Sequence, residues 1–233
     1  MDSLESAGTP SRLPRLEHPM RWAFWTAVTV LTLGLAIGVA LVSRPASKPS
    51  ANESPVNAWP PGAQHAPDFS LTDQFGRPFN LASFRGRPVI VTFIDPLCRK
   101  YCPREASVLT AAAASLGKDA PAIVAVSVDP WGDSAENFRL DKAHWKLAPG
   151  WLWGTGTNAQ LASVWKTYHV AVVVQKKTIA GITVRYITHT EAAYLIDPRG
   201  DERALLLYPF DQQQVVAATR TILATEPEQA THA

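Results

Sequence analysis

Val89-Ile-Val-Thr-Phe-Ile94 is followed closely by Cys98-Arg-Lys-Tyr-Cys102-Pro103, the stretch that holds both cysteines of this 233-residue chain. The first run is apolar and rich in β-branched residues, which is typical of a buried strand. A helical, alanine-rich pattern over about residues 104–116 follows the second. The two thiols therefore lie where a strand gives way to a helix, and the carboxyl end of a strand is where α/β sheets carry their chemistry.

The spacing of the two cysteines bears on what their thiols can do. Residues four apart on a helix have Cβ atoms roughly 5–6 Å apart, whereas a disulfide needs about 3.5–4.5 Å. Oxidation would therefore require a distorted turn, while metal–sulfur bonds of about 2.3 Å can span the gap. A helix N-terminus with Arg99 and Lys100 beside it favours the thiolate, the form that binds metals. A structural disulfide and two inert thiols remain alternatives at this point.

The remaining patterns place strands and helices in alternation along the chain. The predicted elements are a hairpin (69–71 and 78–81), a strand (89–94), a helix (104–116), a strand (122–128), a helix (134–146), a short strand (151–153), a helix (159–167) capped by Asn158, a hairpin (170–174 and 181–187) turning around Lys176-Lys177, a hairpin (192–196 and 204–207) and a last helix (211–224). This order predicts an α/β, thioredoxin-like fold, with a central mixed sheet flanked by helices.

The N-terminal part of the chain reads as a membrane tether. Residues 1–21 are polar and rich in proline, and we expect a disordered cytoplasmic tail. Residues 22–42 contain no charged residue, and a helix of that length spans roughly 30 Å, as a transmembrane anchor must. Residues 43–63 have the composition of a flexible linker. Residues 64–228 then form the folded domain, and residues 229–233 form a short tail.

Charge sets the expected orientation and excludes one class of partner. Three arginines precede the apolar segment, and one arginine and one lysine follow it, which favours the amino end in the cytoplasm. The domain would then face the periplasm, or the equivalent extracytoplasmic side, from a single-pass anchor in the inner membrane. A removed signal peptide is the alternative. With 22 basic and 20 acidic residues, the chain lacks the basic surplus of a nucleic-acid-binding protein.

Two thiolates need further ligands to hold a metal, and His189 is the best placed of the six histidines. It lies just before the apolar strand 192–196. In a thioredoxin-like sheet this segment enters the strand beside the one that leads to the cysteines, near the same end. The imidazole could therefore reach the thiols, although a loop histidine without a role remains an equal alternative on geometry alone.

Four motifs of the chain are informative in combination. They are Phe69-Ser-Leu-Thr-Asp73, Cys98-x-x-x-Cys102-Pro103, Val126-Ser-Val-Asp-Pro130 with Asp133, and His189 followed by Tyr194-Leu-Ile-Asp-Pro198 and Gly200. These motifs resemble those of the Sco/SenC family, whose members are membrane-anchored, copper-binding proteins that help to assemble the copper site of cytochrome c oxidase. The resemblance covers about residues 64–225.

The resemblance implies a copper site and its ligands. Cys98, Cys102 and His189 would bind Cu(I), Cu(II) or both, and Asp129 and Asp133 would form an acidic pair near the metal. Turn formation and helix capping are the alternative roles for the two aspartates. The implied partner is the copper-bearing subunit of cytochrome c oxidase, with other periplasmic copper chaperones or thioredoxin-like reductants as further partners.

The first hypothesis for function is therefore a membrane-tethered copper metallochaperone. The alternative is an enzyme, a thiol–disulfide oxidoreductase in which Cys98 and Cys102 reduce the cysteines of the oxidase copper site. A peroxiredoxin-like peroxidase and a zinc protein with a Cys2His site are further alternatives.

Overall fold

The computed structural model describes Trp25, Val28–Leu31 and Asn57–Thr225. Trp25 and Val28–Leu31 are helical, and among all the described residues no helix is long and apolar enough to cross a membrane. Most of the predicted anchor at 22–42, and the predicted tails at 1–21 and 229–233, lie outside these residues.

Within Asn57–Thr225, the chain forms ten strands, four α-helices and two short 3-10 helices. The strands are β1 (Asn57–Ala58), β2 (Ser70–Thr72), β3 (Pro78–Asn80), β4 (Val89–Ile94), β5 (Ala122–Ser127), β6 (Leu152–Gly154), β7 (Val172–Ile179), β8 (Ile182–His189), β9 (Ala192–Ile196) and β10 (Glu202–Leu207). The helices are α1 (Cys102–Leu116), α2 (Ala135–His144), α3 (Asn158–Thr167) and α4 (Gln212–Thr225).

A mixed six-stranded sheet in the order β1-β10-β9-β4-β5-β6 forms the centre, as predicted. β4, β5 and β6 run parallel, and β9 lies antiparallel to β4. In that register Thr92 is opposite Ala193, so the start of β9 lies beside the carboxyl end of β4. The topology therefore brings the chain after His189 to the edge of the sheet from which the cysteines follow.

Each face of the sheet is covered by its own hydrophobic core. Ile90 and Ile94 of β4 pack with α1, α2 and α4 on one face. Val91 and Phe93 pack on the other face, with α3 and with the β2–β3 hairpin. The alternation follows from the two-residue period of a strand, and it explains why β4 is buried along its whole length.

The hairpin formed by β7 and β8 differs from the prediction, because its turn is at Ala180-Gly181 rather than at Lys176-Lys177. Both turn residues have positive φ, 49° for Ala180 and 79° for Gly181. A two-residue turn of that kind matches the twist of a hairpin, and glycine adopts it without strain. The two lysines therefore lie within β7, on a largely exposed ribbon.

Two boundaries also differ from the prediction. Asn57–Ala58, placed in the linker by composition, pair with β10, and the Trp59 amide donates to the Arg203 carbonyl over 3.0 Å. The folded unit therefore begins before residue 64. Thr157, not Asn158, caps α3, because its hydroxyl accepts from the Gln160 amide while the Gln160 side chain accepts from the Thr157 amide.

Candidate metal centre

The Cys98 sulfur lies at the N-terminus of α1. Cys102 is the first residue of that helix, and its amide donates to Cys98 Sγ over 3.4 Å. Pro103 follows within the first turn, where the missing amide hydrogen costs nothing. The helix has no capping side chain at Tyr101, so the sulfur takes up one of the amides that a helix start leaves unpaired.

The two thiols differ sharply in acidity. A hydrogen bond from the Cys102 thiol, together with backbone amides of the same turn, lowers the pKa of Cys98 to about 5. The same hydrogen bond and burial raise the pKa of Cys102. Both cysteines are free. The pair therefore consists of a half-buried thiolate and a buried thiol that supports it.

We expect Cys102→Ala to raise the pKa of Cys98 from about 5 toward that of an ordinary thiol, because the strongest bond to the thiolate is lost. The pH dependence of the ultraviolet thiolate absorbance measures this change. Cys102→Ser is the matched control, since its hydroxyl can still donate. A Cys98 that still titrates at about 5 in the alanine variant would contradict this cause of the low pKa.

His189 faces the buried thiol. Its Nε2 atom is 3.8 Å from Cys102 Sγ, and its Nδ1 atom is 3.0 Å from the Thr190 carbonyl. Burial lowers the pKa of the imidazole, so the ring is neutral at pH 7. With Nδ1–H donating to the Thr190 carbonyl, Nε2 carries no proton and faces the sulfur. In this tautomer Nε2 is free to bind a metal.

Cys102, His189 and Glu191 form a cluster of possible metal donors, with one donor atom of each residue within 4.8 Å of the others. Cys98, a predicted ligand, is not part of this cluster. Cys98, His189 and Glu191 also line one open cleft. Donor atoms bound to one tetrahedral ion by bonds of 2.0–2.3 Å lie roughly 3.5 Å apart. The arrangement therefore fits a metal, and its sulfur and imidazole donors suit copper or zinc.

Three acidic residues near the thiols were not among the predicted site residues. Burial raises the pKa of Asp95 to about 6 and that of Glu105 to about 8, and burial beside the Cys98 thiolate raises the pKa of Glu191 to about 7. The spacing could have revealed Glu105, because it shares a helix face with Leu109 and Ala112, which are fully buried. Glu191 is only two residues from the predicted histidine ligand.

Glu105 is completely buried beneath the site. Thr92 Oγ1 hydrogen-bonds with Glu105 Oε1 and also lies 3.2 Å from the Ala192 carbonyl. The hydroxyl has one proton, so both contacts are satisfied when a protonated Glu105 donates to it and it donates to the carbonyl. Glu105 Oε2 has no hydrogen-bond partner among the described residues. These contacts therefore favour the neutral, protonated form of the Glu105 carboxyl.

The predicted acidic pair lies at the end of β5, where both side chains make local bonds. Asp129 Oδ1 accepts from the Trp131 amide over 3.2 Å. Asp133 Oδ1 accepts from the Ser127 hydroxyl over 2.7 Å and from the Trp153 indole over 3.4 Å. Neither belongs to the cluster of possible metal donors among the described residues. These bonds fit turn formation, and a role of the pair toward a metal stays a prediction.

A mixed sheet with helices on both faces, and a dithiol at a strand–helix junction, define the thioredoxin-like class. Within it, the family model of SCO1/SenC matches residues 58–224, and the chain belongs to that family.

Solved structures show the same fold. ScoI from Bradyrhizobium japonicum, described with copper bound, is 22% identical over 69% of this chain and 99% of its own, with a TM-score of 0.59. Yeast Sco1 with copper bound is 21% identical over 71% and 92%, with a TM-score of 0.62. BsSco, described as having a disulfide switch and as a member of the Sco family of cytochrome c oxidase assembly proteins, is 20% identical over 75% and 98%, with a TM-score of 0.55.

A shorter match joins the chain to a peroxiredoxin. Chloroplastic peroxiredoxin Q from Sedum lineare is 32% identical over 81 residues, which are 35% of this chain. The chain spans 41% of that relative's length.

Proposed function

We propose that this protein is a membrane-tethered copper metallochaperone that delivers copper to the binuclear copper site of cytochrome c oxidase. Cys98, Cys102 and His189 would hold the ion. The observation that carries the proposal is the approach of His189 Nε2 to Cys102 Sγ, at 3.8 Å, beside the Cys98 thiolate. Membership of the SCO1/SenC family and the copper-bound ScoI and Sco1 structures support copper as the cargo.

The donor set suits the uptake and release of copper. Thiolates are soft ligands that select Cu(I), and imidazole accepts both copper states. Two sulfurs and one nitrogen leave one side of the ion open to the cleft. The thiols of a target protein can enter there, and ligand exchange then moves the ion without releasing it into solution.

The family and the N-terminal sequence support the proposed target and compartment. BsSco is described as belonging to a family of cytochrome c oxidase assembly proteins, which supports the copper-bearing subunit of the oxidase as the partner. The uncharged segment 22–42 supports a single-pass anchor in the inner membrane, with the domain on the periplasmic side.

A loading and transfer experiment tests this proposal. The full chain is loaded with Cu(I) under anaerobic, reducing conditions, freed of excess metal and mixed with the apo copper domain of the oxidase subunit. We expect one copper per chain, and we expect the copper to move to the target on mixing. Cys98→Ser and Cys102→Ser should each lose the stoichiometric copper, because a sulfur ligand is removed. An unaltered chain that binds no copper, or single variants that keep one copper each, would contradict the assignment.

One observation favours a second candidate, a thiol–disulfide oxidoreductase. A thiolate at a helix N-terminus with a second thiol beside it is the arrangement that attacks disulfides through a mixed disulfide. The natural substrate would be the disulfide form of the oxidase copper-site cysteines. Rapid reduction of that disulfide by the metal-free chain would support this role.

A further inference from the structure

We infer that Glu191 is a fourth ligand, which binds Cu(II) but not Cu(I) in the site formed by Cys98, Cys102 and His189. The inference rests on the proposed function, because it assigns a further residue to the same site. Its basis is the proximity of three side chains, since one donor atom each of Cys102, His189 and Glu191 lies within 4.8 Å of the others.

Hydrogen bonds hold the backbone around Glu191 in place. The Glu191 carbonyl accepts from the Tyr208 amide over 3.0 Å. The Thr190 amide donates to the Ala171 carbonyl over 3.0 Å, and the Thr190 hydroxyl accepts from the Ala171 amide over 3.2 Å. Because the chain is fixed on both sides of it, Glu191 is presented to the same cleft as Cys98 and His189.

No described basic side chain forms an ion pair with Glu191 within 4.0 Å, although the exposed Arg104 lines the same cleft. The carboxylate is half-buried, and its charged neighbour is the Cys98 thiolate. A cation that binds here displaces the protons of its ligands, and two anionic ligands then favour a divalent cation more than a monovalent one, because the attraction grows with the charge of the ion.

The chemistry of the donors separates the two copper states. Carboxylate oxygen is a hard ligand, and it adds little to the binding of soft Cu(I), which two sulfurs and one nitrogen already satisfy. Cu(II) prefers four donors in a tetragonal arrangement and accepts oxygen readily. Glu191 would then occupy the position that water takes in a site made of three protein ligands. The residue would set how strongly the site retains oxidised copper relative to reduced copper.

The test compares Glu191→Gln with the unaltered full chain for the two ions separately. Cu(II) sulfate is added anaerobically, and its affinity is measured by chelator competition, with the electron paramagnetic resonance spectrum as a second readout. Cu(I) affinity is measured by competition with a Cu(I)-specific chelator. We expect Cu(II) affinity to fall by about 10-fold or more, with altered copper hyperfine coupling, since even outer ligand partners are worth about 10–100-fold. Cu(I) affinity should change less than about twofold, which also shows that the variant is folded.

Glu136→Gln is the matched control, because Glu136 is exposed on α2 and does not line the cleft. We expect it to bind both ions as the unaltered chain does. Unchanged Cu(II) affinity and an unchanged spectrum in Glu191→Gln would overturn this inference but not the proposed function. An equal loss of affinity for both ions would do the same. Failure of the unaltered chain to bind either ion would overturn the proposed function, and this inference with it.

Discussion

Replacing His189 with alanine is expected to lower the affinity for copper by more than about 100-fold, because the loss of a direct ligand should exceed the 10–100-fold cost of losing an outer partner. Thiol–disulfide exchange should persist in the same variant, since the low pKa of Cys98 comes chiefly from Cys102 and the helix start, and not from the imidazole. Equilibrium competition for Cu(I) measures the first effect. The rate of reduction of a small aromatic disulfide measures the second.

His144→Ala is the control for this experiment, because His144 is exposed at the end of α2. It should leave the affinity for copper and the rate of disulfide reduction unchanged. Retention of full copper affinity by His189→Ala would contradict the proposed ligand set. Loss of copper binding and of disulfide exchange together would show that the substitution had disturbed the dithiol itself.

Glu105→Gln is expected to remove a large part of the pH dependence of stability. Burial raises the pKa of Glu105 from 4.5 to about 8, so the folded state holds this proton more tightly than the unfolded state does. The contribution of the neutral carboxyl is complete below pH 4.5 and is lost as the pH rises toward 8. The loss amounts to about 1.4 kcal/mol for each pH unit in that window. Glutamine does not titrate, so the variant should gain stability relative to the unaltered chain as the pH rises.

Urea denaturation of the metal-free, reduced protein at both ends of this window measures the difference in the free energy of unfolding. Subtracting the variant from the unaltered chain cancels the other titrating groups that the two proteins share. Glu136→Gln is again the control. The hydrogen bond from Arg139 lowers the pKa of Glu136 below 4.5, so the effect of this substitution should not grow as the pH rises from 4.5 to 8. If the difference between Glu105→Gln and the unaltered chain were the same at both pH values, the raised pKa would be contradicted.

The parts of the fold that could be predicted are those that a local pattern specifies. Val89–Ile94 is apolar except for Thr92, and a short run of that kind, rich in β-branched residues, is typical of a strand covered on both faces. The position of the cysteines at the end of this strand followed directly. The approach of His189 needed one further step, since antiparallel pairing of β9 with β4 brings the preceding residues to the same edge.

The features that escaped prediction depend on packing between distant parts of the chain. Glu191 is an ordinary polar residue after a strand until the fold places it beside Cys102. Glu105 could be placed on the buried face of α1, but its bond to Thr92 depends on the seating of that helix on the sheet. The turn at Ala180-Gly181 was not predicted, because β7 and β8 are largely exposed and the polar Lys176 and Lys177 fit a strand there as well as a turn.

The separation of Cys102 from His189 along the chain, 87 positions, has a consequence for turnover of the protein. An ion shared by these two side chains would tie the exposed β7–β8 ribbon to the buried start of α1, much as a covalent cross-link closes a long loop. Such a tie disfavours the unfolded chain, and a ligand that binds only the native state adds stability as its concentration rises. Under the proposed assignment, the loaded protein would outlast the empty one in the presence of proteases, so the supply of copper would set the abundance of its own carrier.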